Sequence, residues 1–283
     1  MQSYSYYPGC SLHGTAVEYD HSLKLVAGKL DLALHELADW NCCGATAAHS
    51  TGELLALALP ARNLQIAARS PDPLLAPCAM CYNRMKVTQH ALLDPARRAE
   101  IEQVLGGKDG LGQVQVLSIL QALATPEMLA AVASRVVRPL KGLKVVCYYG
   151  CLLVRPPNIL PTEDFENPQG MDRLVSQLGA EALDWPFKTE CCGASLALAR
   201  TDIVLKLGQR LLQMARQVGA NCIVTACPMC HSNLDTRQSQ IKARLGDDFA
   251  MPIFYITELM GLAFGYGPKE LYIDKHLTDA TGI

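Results

Sequence analysis

The chain has no surplus of either charge. Its 283 residues carry a formal net charge of −2 at pH 7, and its isoelectric point is about 6.4. Without a positive field to attract phosphate groups, we predict neither nucleic acid nor anionic lipid as a partner. Long apolar runs are also missing, since no stretch approaches the ~18 residues that span a bilayer. The start of the chain lacks the basic and apolar segments of a secretory signal. We therefore expect a cytoplasmic protein without a transmembrane segment.

Cysteine, in contrast, is abundant, with 12 residues. In a reducing compartment, thiols serve metal or redox chemistry more often than structural disulfides. Adjacent cysteines such as Cys42–Cys43 and Cys191–Cys192 can bond to each other only in a strained small ring. Metal or redox chemistry therefore explains this abundance of cysteine better than structural disulfides do.

Ten of these cysteines form the same five-thiol pattern twice. In each copy a single cysteine precedes an adjacent pair, and 34 residues separate that pair from a C-x2-C motif. The single cysteine is separated from the pair by 31 residues in the first copy and by 39 in the second. The two sets are Cys10, Cys42, Cys43, Cys78, Cys81 and Cys151, Cys191, Cys192, Cys227, Cys230. A set of this size, repeated in order, indicates a duplicated cofactor site.

Each half of the chain alternates β-prone runs with helical runs, and the cysteines lie at the junctions. We predict strands at residues 3–8, 74–77, 144–149 and 222–225 and helices at residues 15–30, 53–70 and 202–218. Residues 94–139 look helical, apart from a break at residues 106–110. This alternation predicts an α/β fold of two pseudo-symmetric Rossmann-like lobes, each with a small, mostly parallel sheet flanked by helices.

The duplication also sets the expected domain organisation. We expect residues 1–140 to form an N-terminal lobe with the first site and residues 141–283 a C-terminal lobe with the second. Residues 155–170 contain four prolines, which predicts a loop and accounts for the longer spacing in the second set. Because this loop follows Cys151 closely, we expect it to cover the second site.

Five thiols exceed the demand of the common metal sites. A tetrahedral zinc site takes four ligands, and a cubane [4Fe–4S] cluster takes four cysteines. Either one thiol per set is free, or the cluster is rearranged so that a fifth thiolate is used. The adjacent pair favours rearrangement, because neighbouring thiolates can reach neighbouring irons. Iron–sulfur ligation by all ten is our interpretation, with zinc ligation and buried thiols as alternatives. Cys147 and Cys222 lie outside the repeat and are predicted to be core residues.

Several stretches around the cysteines resemble the cysteine-rich CCG repeat of the heterodisulfide reductase B-subunit family. They are YYPGC at residues 6–10, CCG at 42–44, CYYGC at 147–151 leading into RPP at 155–157, and TELMGLAFG at 257–265. The resemblance covers nearly the whole chain, and every cysteine position of both copies is present.

The resemblance implies two non-cubane [4Fe–4S] clusters, one per lobe, each held by the five cysteines of its set. In that family the clusters face one another across the lobe interface, and a disulfide substrate is cleaved between them. A catalytic iron–sulfur subunit of an oxidoreductase complex is therefore implied, which makes or cleaves a heterodisulfide, lipoyl or persulfide-type bond. The implied partners are a ferredoxin-like iron–sulfur small subunit, a flavin-containing subunit and, for one substrate class, a lipoyl protein.

Sharing this domain does not fix the reaction. Relatives in succinate, glycolate and lactate systems share it too, so the main alternative is a non-catalytic electron-relay subunit of a flavin dehydrogenase complex. A zinc-binding redox module is a further alternative. His13 and His231 are the best-placed proton donors, with an ordinary hydrogen-bonded role as the alternative. No catalytic side chain is assigned.

Overall fold

Two four-stranded sheets organise the described part of the chain, one in each half of the sequence. The computed structural model describes residues 2–45, 47–107, 111, 113–162, 164–245 and 250–282. Every strand pair within these residues is parallel. The predicted α/β fold with two pseudo-symmetric lobes is confirmed.

The N-terminal lobe begins with strand β1 (Gln2–Tyr6), which lies inside its sheet. The elements that follow are α1 (Gly9–His13), α2 (Val17–Lys29), β2 (Leu32–Glu36), α3 (Ala48–Thr51), α4 (Glu53–Ala67), β3 (Leu74–Ala76), α5 (Ala79–Ala91), α6 (Pro95–Leu105), β4 (Val116–Ser118), α7 (Ile119–Leu123) and α8 (Pro126–Arg135). The strand order is β2-β1-β3-β4, in which Tyr4 lies beside Leu34 and Leu74 beside Val116.

The C-terminal lobe repeats this plan from strand β5 (Lys144–Tyr148). Its further elements are α9 (Gly170–Gln177), β6 (Glu181–Leu183), α10 (Thr201–Gln217), β7 (Cys222–Thr225), α11 (Pro228–Thr236), α12 (Gln238–Leu245), β8 (Ile253–Tyr255) and α13 (Ile256–Ala263). The order is β6-β5-β7-β8, in which Val145 pairs with both Ala182 and Cys222. Among the described residues, no helix is both long enough and apolar enough to cross a bilayer.

Sequence periodicity located four of the eight strands of the described residues and the longest helices, but not β2, β4, β6 or β8. The predicted strands and the helices of residues 15–30, 53–70 and 202–218 are present with slightly different ends. The expectation of helix throughout residues 94–139 is wrong at Val116–Ser118, which is a strand paired with β3. Three residues are too short to show a period, so the pairing partner decides their conformation. The predicted break begins at Gly106, the left-handed residue after α6, and residues 108–110 lie outside the described part.

One continuous apolar core joins the two lobes. The rings of Tyr19, on α2, and Tyr255, on β8, stack with their centroids 4.2 Å apart. Close by, the buried hydroxyls of Ser22 and Thr257 are 2.7 Å apart. An aromatic pair of this kind contributes about 0.5–1.5 kcal/mol beyond the burial of its area. This packing holds the lobes, and therefore their cysteine sets, in one relative position.

Candidate metal-binding site

The ends of the strands present the ten predicted ligand cysteines. Cys10 follows β1, the adjacent pair lies on the loop after β2, Cys78 immediately precedes α5, and Cys81 lies in the first turn of that helix. The second set occupies the same places after β5, β6 and β7, with its C-x2-C motif at the start of α11. Because parallel strands end at the same edge of a sheet, each set is gathered at one sheet edge.

The thiols of the first set are in contact with one another. Cys42 Sγ lies 3.7 Å from Cys10 Sγ, and Cys43 Sγ lies 3.2 Å from Cys81 Sγ. Cys81 also lies close enough to Cys78 to influence the pKa of its thiol. Cys43, Cys78 and Cys81 are buried, whereas Cys10 and Cys42 are exposed. The first set therefore has one side in the protein and one side open to solvent.

The thiols of the second set surround a single cavity. Cys192 Sγ lies 3.6 Å from Cys230 Sγ, and the Cys151 and Cys191 thiols are close enough to shift each other's pKa. All five cysteines of this set line one cavity of about 60 Å³, with Ala79 and Met80 of the other lobe in its wall. Soft sulfur donors arranged in this way suit an iron–sulfur cluster, whereas hard cations prefer oxygen ligands. The five cysteines of the second set therefore fit an iron–sulfur cluster.

A glycine before the first cysteine of each set allows the backbone to approach sulfur. Gly9 and Gly150 both have φ of +66°, in the left-handed region. A Cβ atom at Gly9 would lie 3.0 Å from Cys81 Sγ, and one at Gly150 would lie 3.1 Å from Cys230 Sγ. Any other residue here would therefore push the last cysteine of its set away.

The first cysteine of each adjacent pair is held as a thiolate. The hydrogen bond between the Cys10 and Cys42 thiols, with smaller help from other donors, lowers the pKa of Cys42 to about 2. The corresponding interaction with the Cys151 thiol lowers the pKa of Cys191 to about 6. The N–H of the glycine after each pair also donates to this sulfur, at 3.4 Å and 3.2 Å respectively. Hydrogen bonds to the charged form thus create a thiolate, the form that binds metal, in each set.

The two sets meet at the lobe interface. The thiols of Cys78 and Cys227, the fourth cysteines of their sets, are close enough that each shifts the pKa of the other. The Tyr19 hydroxyl lies 3.4 Å from the carbonyl oxygens of both Pro77 and Ala226, the residues immediately before these cysteines. The two cysteine sets are therefore neighbours, with equivalent residues facing each other.

Tyrosines at the carboxyl end of strands β1 and β5 hold the loops that carry the adjacent pairs. The Tyr7 hydroxyl donates to the Asn41 carbonyl at 2.8 Å, and the Tyr148 hydroxyl donates to the Glu190 carbonyl at 2.7 Å. Both carbonyls belong to the residue just before a cysteine pair. Besides filling the core, these tyrosines therefore place the ligands.

A buried polar network beside the second set was not found from the sequence. Lys188 Nζ lies 3.0 Å from Asp172, and the Tyr149 hydroxyl donates to the same carboxylate at 2.6 Å. The side chain of Lys188 is only 3% exposed. Lysine is nearly always a surface residue, so no signal in the chain distinguishes this one.

The remaining polar candidates have ordinary partners. His13 is exposed, with Nε2 3.3 Å from Glu36. His231 is buried, its Nε2 lies 3.0 Å from the Ile253 carbonyl, and burial lowers its pKa well below the usual value. It lies close to Glu258, whose carboxylate already accepts from the Tyr255 N–H and contacts His276. Cys147 and Cys222 are fully buried, as predicted.

Two α/β lobes, each with five thiols gathered at the carboxyl edge of its sheet, define a duplicated cysteine-rich protein with two neighbouring sets of soft sulfur donors. The family model described as "Cysteine-rich domain", CCG, matches residues 4–86 and 145–235. The chain belongs to this family, which confirms the resemblance inferred from its motifs.

Relatives match over nearly the full length of the chain. It is 31% identical to the 8-methylmenaquinol:fumarate reductase membrane anchor subunit of Wolinella succinogenes, over 100% of this chain and 99% of that protein. It is 28% identical to the B subunit of the ferredoxin:CoB-CoM heterodisulfide reductase of Methanosarcina mazei, over 98% of this chain and 94% of that protein. The chain is thus a CCG-domain protein related to the B subunit of heterodisulfide reductase.

A solved structure supports the two-lobed fold. The crystal structure of a hypothetical protein from Helicobacter pylori superimposes with a TM-score of 0.78 at 12% identity, covering 100% of this chain. The chain spans 53% of the length of that protein. At this identity, the likeness concerns the fold alone.

Proposed function

We propose that the chain is the iron–sulfur catalytic subunit of a heterodisulfide reductase-like complex, which makes or cleaves a disulfide between two non-cubane [4Fe–4S] clusters. The observation that carries this proposal is the position of the two sets at the lobe interface, where the Tyr19 hydroxyl lies 3.4 Å from the carbonyl oxygens of both Pro77 and Ala226, the residues before Cys78 and Cys227. A disulfide couple exchanges two electrons. Two neighbouring one-electron centres match that number.

The proposed ligands are all ten repeated cysteines. The clusters would be held by Cys10, Cys42, Cys43, Cys78 and Cys81 in residues 1–140 and by Cys151, Cys191, Cys192, Cys227 and Cys230 in residues 141–283. When bound, such clusters supply one-electron transfer at potentials that depend on net charge and hydrogen bonds to sulfur. The protein contributes a sulfur shell that is mostly buried, with one exposed thiolate in each set.

A second candidate is an electron-relay subunit that works with a quinol. The observation that favours it is the 31% identity to the fumarate reductase subunit of Wolinella succinogenes, whose name includes 8-methylmenaquinol. In this case the same two sites carry electrons, and the reaction takes place elsewhere in the complex.

We also propose the setting in which the chain works. The relatives from Wolinella and Methanosarcina are subunits of reductases. We propose a ferredoxin-like iron–sulfur subunit and a flavin-containing subunit as partners, because two one-electron centres need a supply of electrons. A cytoplasmic location is proposed because 12 reduced cysteines persist most readily in a reducing compartment.

Metal analysis of anaerobically purified protein tests this proposal. We expect iron and acid-labile sulfide, and we expect Cys42→Ser and Cys191→Ser each to lower the iron content, since each variant damages one set. Cys222→Ser, in the core away from both sets, is the matched control. Zinc without iron or sulfide would contradict the proposal. A paramagnetic signal that changes when a thiol or disulfide is added supports the catalytic role, whereas a signal that no such compound perturbs supports the relay.

A further inference from the structure

Three side chains that can bind a metal ion meet where α11, α13 and the C-terminal segment, residues 273–282, pack together. They are His231 on α11, Glu258 in the first turn of α13, and His276 in the C-terminal segment. Each offers one ligand atom, and the three atoms lie within 4.8 Å of one another. His231 is 4% exposed, and the side chains of His276 and Glu258 are 1% and 0% exposed. This group is enclosed by protein and contains none of the ten repeated cysteines.

Two members of the group are already oriented by backbone groups. His231 Nε2 lies 3.0 Å from the Ile253 carbonyl oxygen, and Glu258 Oε2 accepts from the Tyr255 N–H at 2.8 Å. Histidines and carboxylates that bind metals have outer partners of this kind, which fix the orientation of each ligand. The surroundings of His231 and Glu258 therefore match those of metal ligands.

The third member, His276, has one nitrogen that is not satisfied. Its Nε2 lies 2.9 Å from Glu258 Oε1, whereas its Nδ1 is buried and has no hydrogen-bond partner among the described residues. A buried polar atom without a partner is unusual in a folded protein. A metal ion bound at this ring would account for it.

Carboxylates surround the His276 ring. The charges of Glu258, Asp235 and Glu18 all act on it, and each of these three residues is at most 8% exposed. Glu18 reaches the group from α2 of the other lobe. Asp235 also accepts from the two backbone N–H groups that follow His276, at 2.8 Å each, and so fixes this part of the C-terminal segment. Buried charges are normally paired or bound to metals, so this environment favours a cation.

The donor set selects the kind of metal. Two imidazoles and one carboxylate are a known zinc ligand set that leaves a fourth position for water. Calcium and magnesium prefer oxygen ligands alone. Tetrahedral ligands at about 2.0–2.1 Å from zinc lie roughly 3.3 Å from one another, so side-chain shifts on the order of 1 Å close this group around an ion.

We propose that His231, Glu258 and His276 bind a zinc ion that fastens the C-terminal segment to α11 and α13. The site is separate from the cysteine sets, and its donors are nitrogen and oxygen instead of sulfur. Because His231 directly follows Cys230, the ion also holds the helix turn that carries the last cysteine of the second set. This inference does not depend on the proposed function.

X-ray absorption at the zinc edge of the full-length, iron-loaded protein tests this inference. The protein is dialysed anaerobically against one equivalent of Zn²⁺, and its metals are counted by mass spectrometry. We expect about one zinc per chain in addition to the iron, with nitrogen and oxygen neighbours at about 2.0–2.1 Å. Zinc held by cysteines would instead show sulfur neighbours at about 2.3 Å.

Two variants locate the ion. His276→Gln keeps a hydrogen-bond donor for Glu258 but removes an imidazole, whereas Glu258→Gln keeps an acceptor for the Tyr255 N–H but removes the charge. Each should raise the Kd for zinc at least tenfold, measured by competition with a chromophoric chelator. His90→Asn, on an exposed position of α5 outside the group, is the matched control, and its Kd should stay within twofold of the unmodified protein.

Hydrogen exchange measures the effect on the C-terminal segment. Zinc should slow exchange of the Leu277 and Thr278 N–H groups in the unmodified protein, because the ion holds the neighbouring His276 in place. In His276→Gln, zinc should leave the exchange of both groups unchanged.

The outcomes separate this inference from the proposed function. A nitrogen and oxygen shell around zinc, together with weaker binding in both variants, supports the inference. No zinc beside the iron, a sulfur shell around zinc, or equal affinity in all variants overturns it, and with iron present each of these results leaves the iron–sulfur function standing. Sulfur-bound zinc in protein without iron overturns the function as well. If Glu258→Gln does not fold, His276→Gln and the zinc shell of the unmodified protein carry the test.

Discussion

In the N-terminal lobe, the residue three positions before the adjacent cysteines is Asp39, which is exposed and pairs with Arg62 at the surface. The corresponding position in the C-terminal lobe is Lys188, which is buried and pairs with Asp172. The backbone carbonyl of Lys188 also accepts from the Tyr149 N–H. The loop before Cys42–Cys43 is thus held by a surface ion pair, and the loop before Cys191–Cys192 is held by a buried ion pair. The cysteine pattern is the same in both lobes, whereas the ion pairs that hold the two loops differ.

The electrostatic surroundings of the two sets differ as well. Arg84 is half-buried, and its charge acts on Cys43. The corresponding residue of the C-terminal lobe is Asn233, whose side-chain amide lies 3.3 Å from the Cys192 carbonyl and 3.8 Å from Cys192 Sγ. A cation near one set and a neutral amide near the other make the two sites electrostatically unequal.

The largest expected effect, on the free energy of unfolding, comes from breaking the buried ion pair between Lys188 and Asp172. We expect Lys188→Met to lower the free energy of unfolding by about 3–5 kcal/mol, because it leaves the Asp172 carboxylate buried without its cation. Arg62→Met, the matched change in the other lobe, should cost about 1 kcal/mol or less, since that pair is exposed. Chemical denaturation of both variants measures the difference. An equal loss of unfolding free energy in the two variants would mean that the buried and the surface ion pair contribute equally to stability.

A second expected difference concerns pH. In metal-free, reduced protein, alkylation of Cys191 should slow about tenfold between pH 8 and pH 5, because its pKa of about 6 lies in this range and only the thiolate reacts. Alkylation of Cys42 should hardly change, because its pKa of about 2 keeps it ionised throughout. Mass spectrometry of labelled peptides measures both rates, with buried Cys147 and Cys222 as unreactive references. Parallel pH profiles for the two cysteines would contradict this assignment.

The smallest expected effect is on redox potential. Arg84→Gln should lower the potential of the first site only, because removing a nearby positive charge disfavours added electrons. The interaction is on the order of 1 kcal/mol, roughly 40 mV for one electron. Potentiometric titration followed by paramagnetic resonance measures it, and Lys86→Gln on the same helix is the control. If the potential shifts equally in both sites, or shifts equally in the Lys86→Gln control, the effect does not come from the charge of Arg84 acting on Cys43.

The sequence alone predicts those strands and helices that have a clear periodicity or flanking turn residues. The strands that precede Cys10, Cys78, Cys151 and Cys227 and the longer helices follow from periodicity and turn residues. Strand β4 did not, because three residues flanked by helical runs carry no period of their own. Asp172 could not be singled out either, because burial of a charge depends on what packs over it.

By itself, the amino-acid sequence determined the duplicated set of ten cysteines, the α/β alternation and the family, because spacing, composition and periodicity are local properties of the chain. Only the tertiary structure decided that the residues before Cys78 and Cys227 meet at Tyr19, that Lys188 is buried, and that a cavity of about 190 Å³ lies between the lobes. Each of these results from packing segments that are far apart in sequence. Their positions follow from the sum of many weak contacts, which no short stretch of sequence encodes.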